Sequence, residues 1–171
     1  MGKKALLVIE MQNDYLWEKR KAKFPYDTEK LVAAVNGAIA AAEAEGTDVI
    51  VLQQVFPDTP TNHLVFGFCI EQTEGVKLYA GVQAANAVCF EKNTADPYLT
   101  KDFADYVQAQ GYDTFLLCGI DEYGSISGAA KAALRHGAAA VILKDCTATR
   151  FPANKLIPVR SELKQLGVRY E

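Results

Sequence analysis

Residues 5–9 read Ala5-Leu6-Leu7-Val8-Ile9, a continuous apolar run without alternation. Such a run is typical of a strand that is buried on both faces of a parallel sheet. From Thr28 to Glu45 the period changes, because apolar residues recur at three- and four-residue steps and Gly46 follows as a helix stop. Residues 48–52 then repeat the buried-strand pattern. Together these segments predict one βαβ unit.

The alternation of strand and helix patterns continues to the end of the chain. Further predicted strands are 87–90, 114–118, 139–143 and 168–170, and further predicted helices are 100–110, 125–136 and 159–165. Strands that alternate with helices predict an α/β fold with three layers and a doubly wound, mostly parallel sheet. The length of 171 residues favours one domain over residues 1–171.

Residues 55–86 interrupt this alternation, because they fit neither period and are rich in proline, glycine and phenylalanine. Unpatterned segments of this length inside a compact domain are usually functional loops. A short helix within the segment is an equally open interpretation.

Charge and hydropathy exclude several classes of function. The chain has 18 Lys+Arg against 21 Asp+Glu and a net charge of −3, and its one basic cluster, residues 18–23, is interpreted as a solvated loop. Binding to nucleic acid needs clustered cations and is not expected. No apolar run approaches the roughly 20 residues of a membrane span, and the run that ends at Glu10 is too short for a secretory signal. We expect no membrane partner and a cytoplasmic location.

The four cysteines lie far apart, without a C-x-x-C pair or a histidine at zinc-finger spacing. They are interpreted as small buried hydrophobic residues in a reducing compartment. No G-x-G-x-x-G or P-loop sequence follows a predicted strand, so no nucleotide cofactor is expected.

Polar side chains follow three of the predicted strands. Glu10 ends the first strand, Lys92 ends the strand that begins at residue 87, and Ser125 begins a predicted helix after the strand 114–118. Ligands of open parallel sheets bind beyond the carboxyl ends of the strands, so these groups are candidates for an acid/base site with a nucleophile. Each also has a structural interpretation: Glu10 as a strand end at the solvent edge, Lys92 as a solvated side chain and Ser125 as a helix N-cap.

Two motifs resemble a known family. Residues 5–15, ALLVIEMQNDY, are similar to the opening strand and loop of the isochorismatase-like hydrolases, also called cysteine hydrolases, which usually read LLVIDMQNDF. Residues 118–126, CGIDEYGSI, resemble that family's C-G-V-x-T-x-x-C-V. Lys92 falls where the family places its lysine, and the resemblance covers nearly the whole chain.

The resemblance implies a triad of Asp, Lys and Cys, in which the cysteine attacks an amide or similar carbonyl and the aspartate transfers the proton. In this chain Glu10 stands for the aspartate and Ser125 for the cysteine. A cysteine can ionise to a thiolate before it attacks, whereas a serine hydroxyl must give its proton to a base during the attack. The family's non-proline cis peptide, which shapes the oxyanion hole, corresponds here to Ile120-Asp121 in the loop that leads to Gly124.

Three hypotheses follow from these departures. The chain is a hydrolase with a Glu10–Lys92–Ser125 triad, or it hydrolyses a vinyl ether without a nucleophile, or it is a catalytically silent member that keeps the pocket. A fourth possibility is that Ser125 is an engineered replacement, although the change at Glu10 argues against it.

The resemblance also raises the question of a metal site. The nicotinamidase branch binds metal through Asp-x-His and a later His, whereas this chain has only Asp58 and His63 after the second strand, so no metal is predicted.

Three aromatic residues, Tyr15, Trp17 and Phe56, are candidates for a pocket that takes a small planar or apolar substrate, with packing or an interface as the alternative. By resemblance, a homo-oligomer (dimer or tetramer) is expected.

Overall fold

The computed structural model describes residues 2–171, which form a six-stranded parallel sheet in the order β3-β2-β1-β4-β5-β6. The strands are β1 (Lys3–Ile9), β2 (Asp48–Gln54), β3 (Val88–Lys92), β4 (Tyr112–Ile120), β5 (Ala139–Ala148) and β6 (Arg169–Tyr170). The helices are α1 (Asn13–Leu16), α2 (Thr28–Ala44), α3 (Pro60–Val65), α4 (Lys101–Gln110), α5 (Ser127–Arg135) and α6 (Ala153–Gln165). The predicted doubly wound α/β fold is confirmed.

Strand β1 lies at the centre of the sheet because its apolar residues are buried on both faces. Leu7 pairs with Ile50 of β2 on one side and with Leu117 of β4 on the other. Residues 5–9 are at most 2% exposed. The even burial explains why the sequence of β1 does not alternate.

Helices cover both faces of the sheet and form the outer layers. Leu31, Val35 and Ile39 of α2 pack on one face together with residues of the loops after β1 and β2. Helices α4, α5 and α6 pack on the opposite face. This arrangement leaves the carboxyl ends of the strands free of helices, where the loops after β1, β2, β3 and β4 meet.

Several predicted boundaries were wrong. Helix α6 begins at Ala153 rather than near residue 159, and Pro158 is its sixth residue, where the helix continues although proline cannot donate a hydrogen bond to the Asn154 carbonyl. The predicted helix 125–136 is a π-helical turn, Glu122–Ile126, followed by α5. The segment 55–86 does contain a short helix, α3.

Strand β4 leaves no room for a side chain at Gly119, where it faces the end of β1. A Cβ atom at Gly119 would lie 2.1 Å from the carbonyl oxygen of Ile9, and the residue has a φ of +107°. Glu10, the residue that follows β1, has a left-handed backbone with a φ of 55°, a conformation that costs free energy for any residue with a Cβ. Because glycine has no side chain, position 119 leaves room for the backbone of Ile9, which leads to Glu10.

We expect Gly119→Ala to lower the free energy of unfolding by about 3 kcal/mol, because it combines a backbone clash with an unfavourable φ. Gly111→Ala is a matched control, since Gly111 also has a positive φ, +68°, but nothing lies within 4 Å of its added Cβ. The control is expected to lose about 1 kcal/mol in urea unfolding. Equal losses in the two variants would show that the approach to Ile9 is unimportant.

Candidate active site

Glu10, Lys92 and Ser125 meet at the carboxyl edge of the sheet. The Lys92 ammonium lies 2.5 Å from Oε1 of Glu10, and the Ser125 hydroxyl donates to the same oxygen at 2.5 Å. Lys92 Nζ also lies 3.5 Å from Ser125 Oγ. The carboxylate and the ammonium are almost completely buried, with side chains 4% and 1% exposed. The arrangement joins an ion pair, a carboxylate base and a hydroxyl within hydrogen-bond reach.

These contacts exclude the structural interpretations of the three side chains. Glu10 and Lys92 do not extend into solvent, because each is buried against the other. Ser125 is not an N-cap, since it lies within the π-helical turn and its hydroxyl binds Glu10, while Asp121 caps the turn by accepting from the Tyr123 N–H. A hydroxyl that donates to a buried carboxylate is suited to proton transfer.

Gln54, the last residue of β2, is a fourth polar group in this site, and sequence reasoning missed it. Its Oε1 accepts from Lys92 Nζ at 3.1 Å. Because an ammonium only donates, this contact sets the orientation of the amide and turns Nε2 away from Lys92. Nε2 is buried and has no hydrogen-bond partner among residues 2–171. Its position at a strand end, like that of Lys92, is the signal that would have found it.

The turn that carries Ser125 is held in place by Asp121 and Glu122. The Ile120–Asp121 peptide bond is cis, at the position that the resemblance indicates. The Asp121 carboxylate accepts from the Thr149 hydroxyl at 2.5 Å and from the Arg150 N–H at 3.1 Å. Burial raises the pKa of Asp121, and these hydrogen bonds oppose that rise. The Gly124 N–H is used within the turn, where it donates to the Asp121 carbonyl at 3.1 Å.

Glu122 fixes the same turn to helix α6. Its side chain is 2% exposed and makes a bidentate pair with Arg160, with both N···O distances 2.7 Å. The Glu122 hydrogen bonds raise the pKa of the Arg160 guanidinium. A planar pair of this kind restricts both side chains. The turn that presents Ser125 is therefore anchored at Glu122, three residues before the hydroxyl.

We expect Arg160→Met to lower the free energy of unfolding by about 2–3 kcal/mol, because Glu122 would remain buried without its partner. Arg135→Met is the control, since Arg135 pairs with Asp96 at the surface with a side chain 57% exposed. The control is expected to lose less than about 1 kcal/mol. Urea unfolding measures both variants, and equal losses would contradict an anchoring role of the pair.

A cavity of about 570 Å³ opens above these residues. Tyr15 and Phe56 line it, as do Asp121, Gly124 and Ser125, whereas Ile120 is completely buried in the core. Further walls come from aromatic and cationic side chains. These are Lys23, Phe24, Tyr26, Phe66, Phe68, Tyr123, Arg150 and Phe151.

The placement of Trp17 in this cavity was wrong. Trp17 lines a separate cavity with Lys19 and His63, and the Lys19 ammonium lies 4.0 Å from the centre of its ring. Tyr15 lies in the wall of the first cavity, where its ring packs against Phe24 with ring centroids 5.0 Å apart. Trp17 directly follows α1, and residues two apart in a helical turn point in different directions, so Tyr15 and Trp17 do not share a surface.

Cysteines do not replace the family's nucleophile at this site. Cys69 and Cys118 are buried, and burial raises the pKa of both thiols. Cys89 is exposed, contrary to its predicted burial, and lies on edge strand β3. None of the four cysteines lines the cavity, so Ser125 is its candidate nucleophile.

The residues after β2 do not fit the metal centre of the nicotinamidase branch. Asp58 and His63 lie 2.7 Å apart, but both side chains are 54% exposed. Within residues 2–171 no three His, Cys, Asp or Glu side chains are placed to hold a metal ion. That the chain needs no metal stays a prediction.

The sheet and the polar cluster define a doubly wound α/β protein with a candidate ligand site at the carboxyl edge of its strands. A family model described as the Isochorismatase domain matches residues 4–157. This chain therefore belongs to the isochorismatase family, the hydrolase family that its motifs resemble. A search of curated proteins gives no significant match. No helix in the described part of the chain meets the length and apolarity needed to cross a membrane.

Solved structures share the fold over almost the whole chain. N-carbamoylsarcosine amidase from Thermoplasma acidophilum is 19% identical with a TM-score of 0.83, covering 99% of this chain and 95% of its own. Nicotinamidase from Bacillus subtilis is 20% identical with a TM-score of 0.83, covering 98% of each chain. An isochorismatase family protein from Desulfovibrio vulgaris is 22% identical with a TM-score of 0.82, covering 99% and 94%. The TM-scores establish the shared fold, whereas identities of 19–22% do not establish a shared activity.

Proposed function

We propose that the protein hydrolyses a C–N bond of a small amide with Ser125 as the nucleophile and Glu10 as the base. The observation that carries the proposal is the hydrogen bond from the Ser125 hydroxyl to Oε1 of Glu10, at 2.5 Å. Two of the structural relatives are amidases by name, which supports an amide as the substrate. Serine needs a base in contact, and Glu10 meets that need.

In the proposed reaction Ser125 Oγ attacks the carbonyl carbon while Glu10 accepts the hydroxyl proton. Glu10 then returns this proton to the leaving nitrogen as the C–N bond breaks, which leaves an acyl-serine and a free amine. Water, deprotonated by Glu10, hydrolyses the ester, and Ser125 recovers its proton. The product acid and amine balance one amide and one water.

Lys92 and Gln54 assist in different ways. The Lys92 ammonium balances the negative charge of the buried Glu10 carboxylate and holds this carboxylate next to the Ser125 hydroxyl. Gln54 Nε2 is the side-chain donor that we assign to the carbonyl oxygen, because its amide N–H groups lack a partner in the described chain. A preorganised donor stabilises negative charge that develops on this oxygen. The Gly124 N–H serves this purpose less well, since it already donates to Asp121.

The proposal is tested by incubating the purified protein with primary amides, N-carbamoyl amines and matched esters. We expect release of ammonia or amine, and an acyl adduct after acid quench that peptide mass spectrometry maps to Ser125. No turnover and no adduct on the whole panel would indicate a catalytically silent family member. Turnover without an adduct that survives Ser125→Ala but is lost in Glu10→Gln would indicate hydrolysis without a nucleophile, as for a vinyl ether.

A further inference from the structure

Two cationic side chains reach the cavity without an anionic partner. Lys23 and Arg150 both line it. Lys23 Nζ donates to the Phe66 carbonyl at 2.9 Å, and the Arg150 guanidinium lies 5.0 Å from the centre of the Phe151 ring. Neither side chain forms a salt bridge with a carboxylate of residues 2–171. Both residues are exposed at the mouth of the site, whereas the buried Lys92 is paired with Glu10.

The two cations repel each other. Partial burial lowers the pKa of Lys23, and the positive charges of Arg20 and Arg150 lower it further. Arg20 has its own carboxylate, since its Nε lies 3.4 Å from Asp14. An anion between Lys23 and Arg150 would remove the remaining repulsion and gain charge-assisted hydrogen bonds.

Tyr26 adds an unused hydrogen-bond donor to the same wall. Its side chain is buried, the residue lines the cavity, and its hydroxyl has no hydrogen-bond partner among the described residues. Burial and the charge of Asp121 raise the pKa of this phenol, which therefore keeps its proton. A buried polar group without a partner costs free energy that a bound acceptor would recover.

The carboxylates of the cavity offset only part of this positive charge. Glu10 is neutralised by Lys92. Asp121 accepts three hydrogen bonds, from the Thr149 hydroxyl and from the backbone N–H groups of Tyr123 and Arg150. Lys23 and Arg150 therefore bring two positive charges to the cavity against the single negative charge of Asp121, which leaves a net positive charge there.

We propose that the substrate is an amide that carries a carboxylate, and that Lys23, Tyr26 and Arg150 bind this carboxylate while the amide reaches Ser125. The proposal rests on the function proposed above and names its substrate class. Phe56 and Phe66, stacked with ring centroids 3.9 Å apart, offer a flat apolar wall for the part of the substrate between the two groups.

Binding of matched probes tests the proposal without turnover. The host is the full chain with Ser125→Ala, so that the probes stay intact, and isothermal titration calorimetry compares 4-carbamoylbenzoate with the uncharged terephthalamide. Succinamate and succinamide form a second, aliphatic pair. We expect the carboxylate of a pair to bind about 10–100-fold more tightly than its uncharged partner, and added salt to narrow the difference.

Single variants of the two cations test which side chains cause the preference for the carboxylate probe. Arg150→Met and Lys23→Met are each expected to lower the preference for the carboxylate probe about tenfold. Lys19→Met is the control, since Lys19 is an exposed cation that lines the separate cavity with Trp17; it is expected to leave the preference unchanged. Equal affinity for charged and uncharged probes, no binding of either carboxylate at about 10 mM, or the same loss in Lys19→Met would each overturn the proposal. Because calorimetry does not require hydrolysis, an inactive enzyme with carboxylate preference would refute only the proposed function.

Discussion

Ser125→Ala is expected to lower kcat/KM for amide hydrolysis at least about 10³-fold, because the variant lacks the atom that attacks the carbonyl carbon. The fold should be retained, since the Glu10 carboxylate loses one hydrogen bond but keeps its contact with Lys92. The free energy of unfolding is expected to change by no more than about 1 kcal/mol. Steady-state kinetics and urea unfolding of the same preparation measure the two effects separately.

Three further variants test whether the loss of activity in Ser125→Ala comes from the proposed serine mechanism. Ser161→Ala removes a hydroxyl from the exposed side of α6 and should leave the kinetics unchanged. Glu10→Gln keeps the size of the side chain but removes the base, and is expected to cost about 10²–10⁴-fold. The double variant Glu10→Asp with Ser125→Cys restores the usual family residues, so a large gain of amidase activity from an inactive parent would identify this chain as a silent member. Normal turnover in Ser125→Ala would contradict the serine mechanism.

Lys92→Met is expected to lower the free energy of unfolding by about 3–5 kcal/mol, because the variant leaves the Glu10 carboxylate buried without its counterion. Lys92 has acceptors besides Glu10 in Gln54 and the Thr94 carbonyl, both at 3.1 Å. Loss of the ammonium therefore leaves several polar groups without a donor. Urea unfolding at neutral pH gives the magnitude.

Two further variants test this reason. In the double variant Glu10→Gln with Lys92→Met no buried charge remains at the pair, so part of the stability should return. Lys131→Met breaks an ion pair with Glu162 whose side chains are 31% and 54% exposed, and should cost less than about 1 kcal/mol. If Lys92→Met were as mild as Lys131→Met, the buried pair would have no special importance for stability.

The fold was predictable because its core repeats one simple pattern. The apolar run of β1 and the three- and four-residue steps of α2 follow directly from burial on two faces and on one face. Element ends were less predictable. The last helix was predicted over 159–165, whereas α6 begins at Ala153 and contains Pro158. No local pattern distinguishes the π-helical turn at Glu122–Ile126 from the start of α5.

The candidate site was predictable only where it coincides with strand ends. Glu10, Lys92 and Ser125 follow or end strands that lie close together in the sheet, so the topology brings them to one edge. Lys23, Tyr26 and Arg150 come from loops, and their convergence depends on how those loops pack. Trp17 shows the same limit, because the sequence did not predict the short helix α1, whose turn directs Tyr15 and Trp17 to different surfaces. The expected homo-oligomer and cytoplasmic location stay predictions.

The position of Glu10 next to the central strand has a consequence for hydrogen exchange. Its backbone N–H donates to the Leu52 carbonyl at 2.8 Å, directly beyond the most buried part of the sheet. We expect this amide to exchange with deuterium only when the sheet opens, and amides of the short, exposed helix α3 to exchange faster through local fluctuations. The backbone of the proposed base is therefore tied to the central strands, whereas the walls of the cavity come largely from loops.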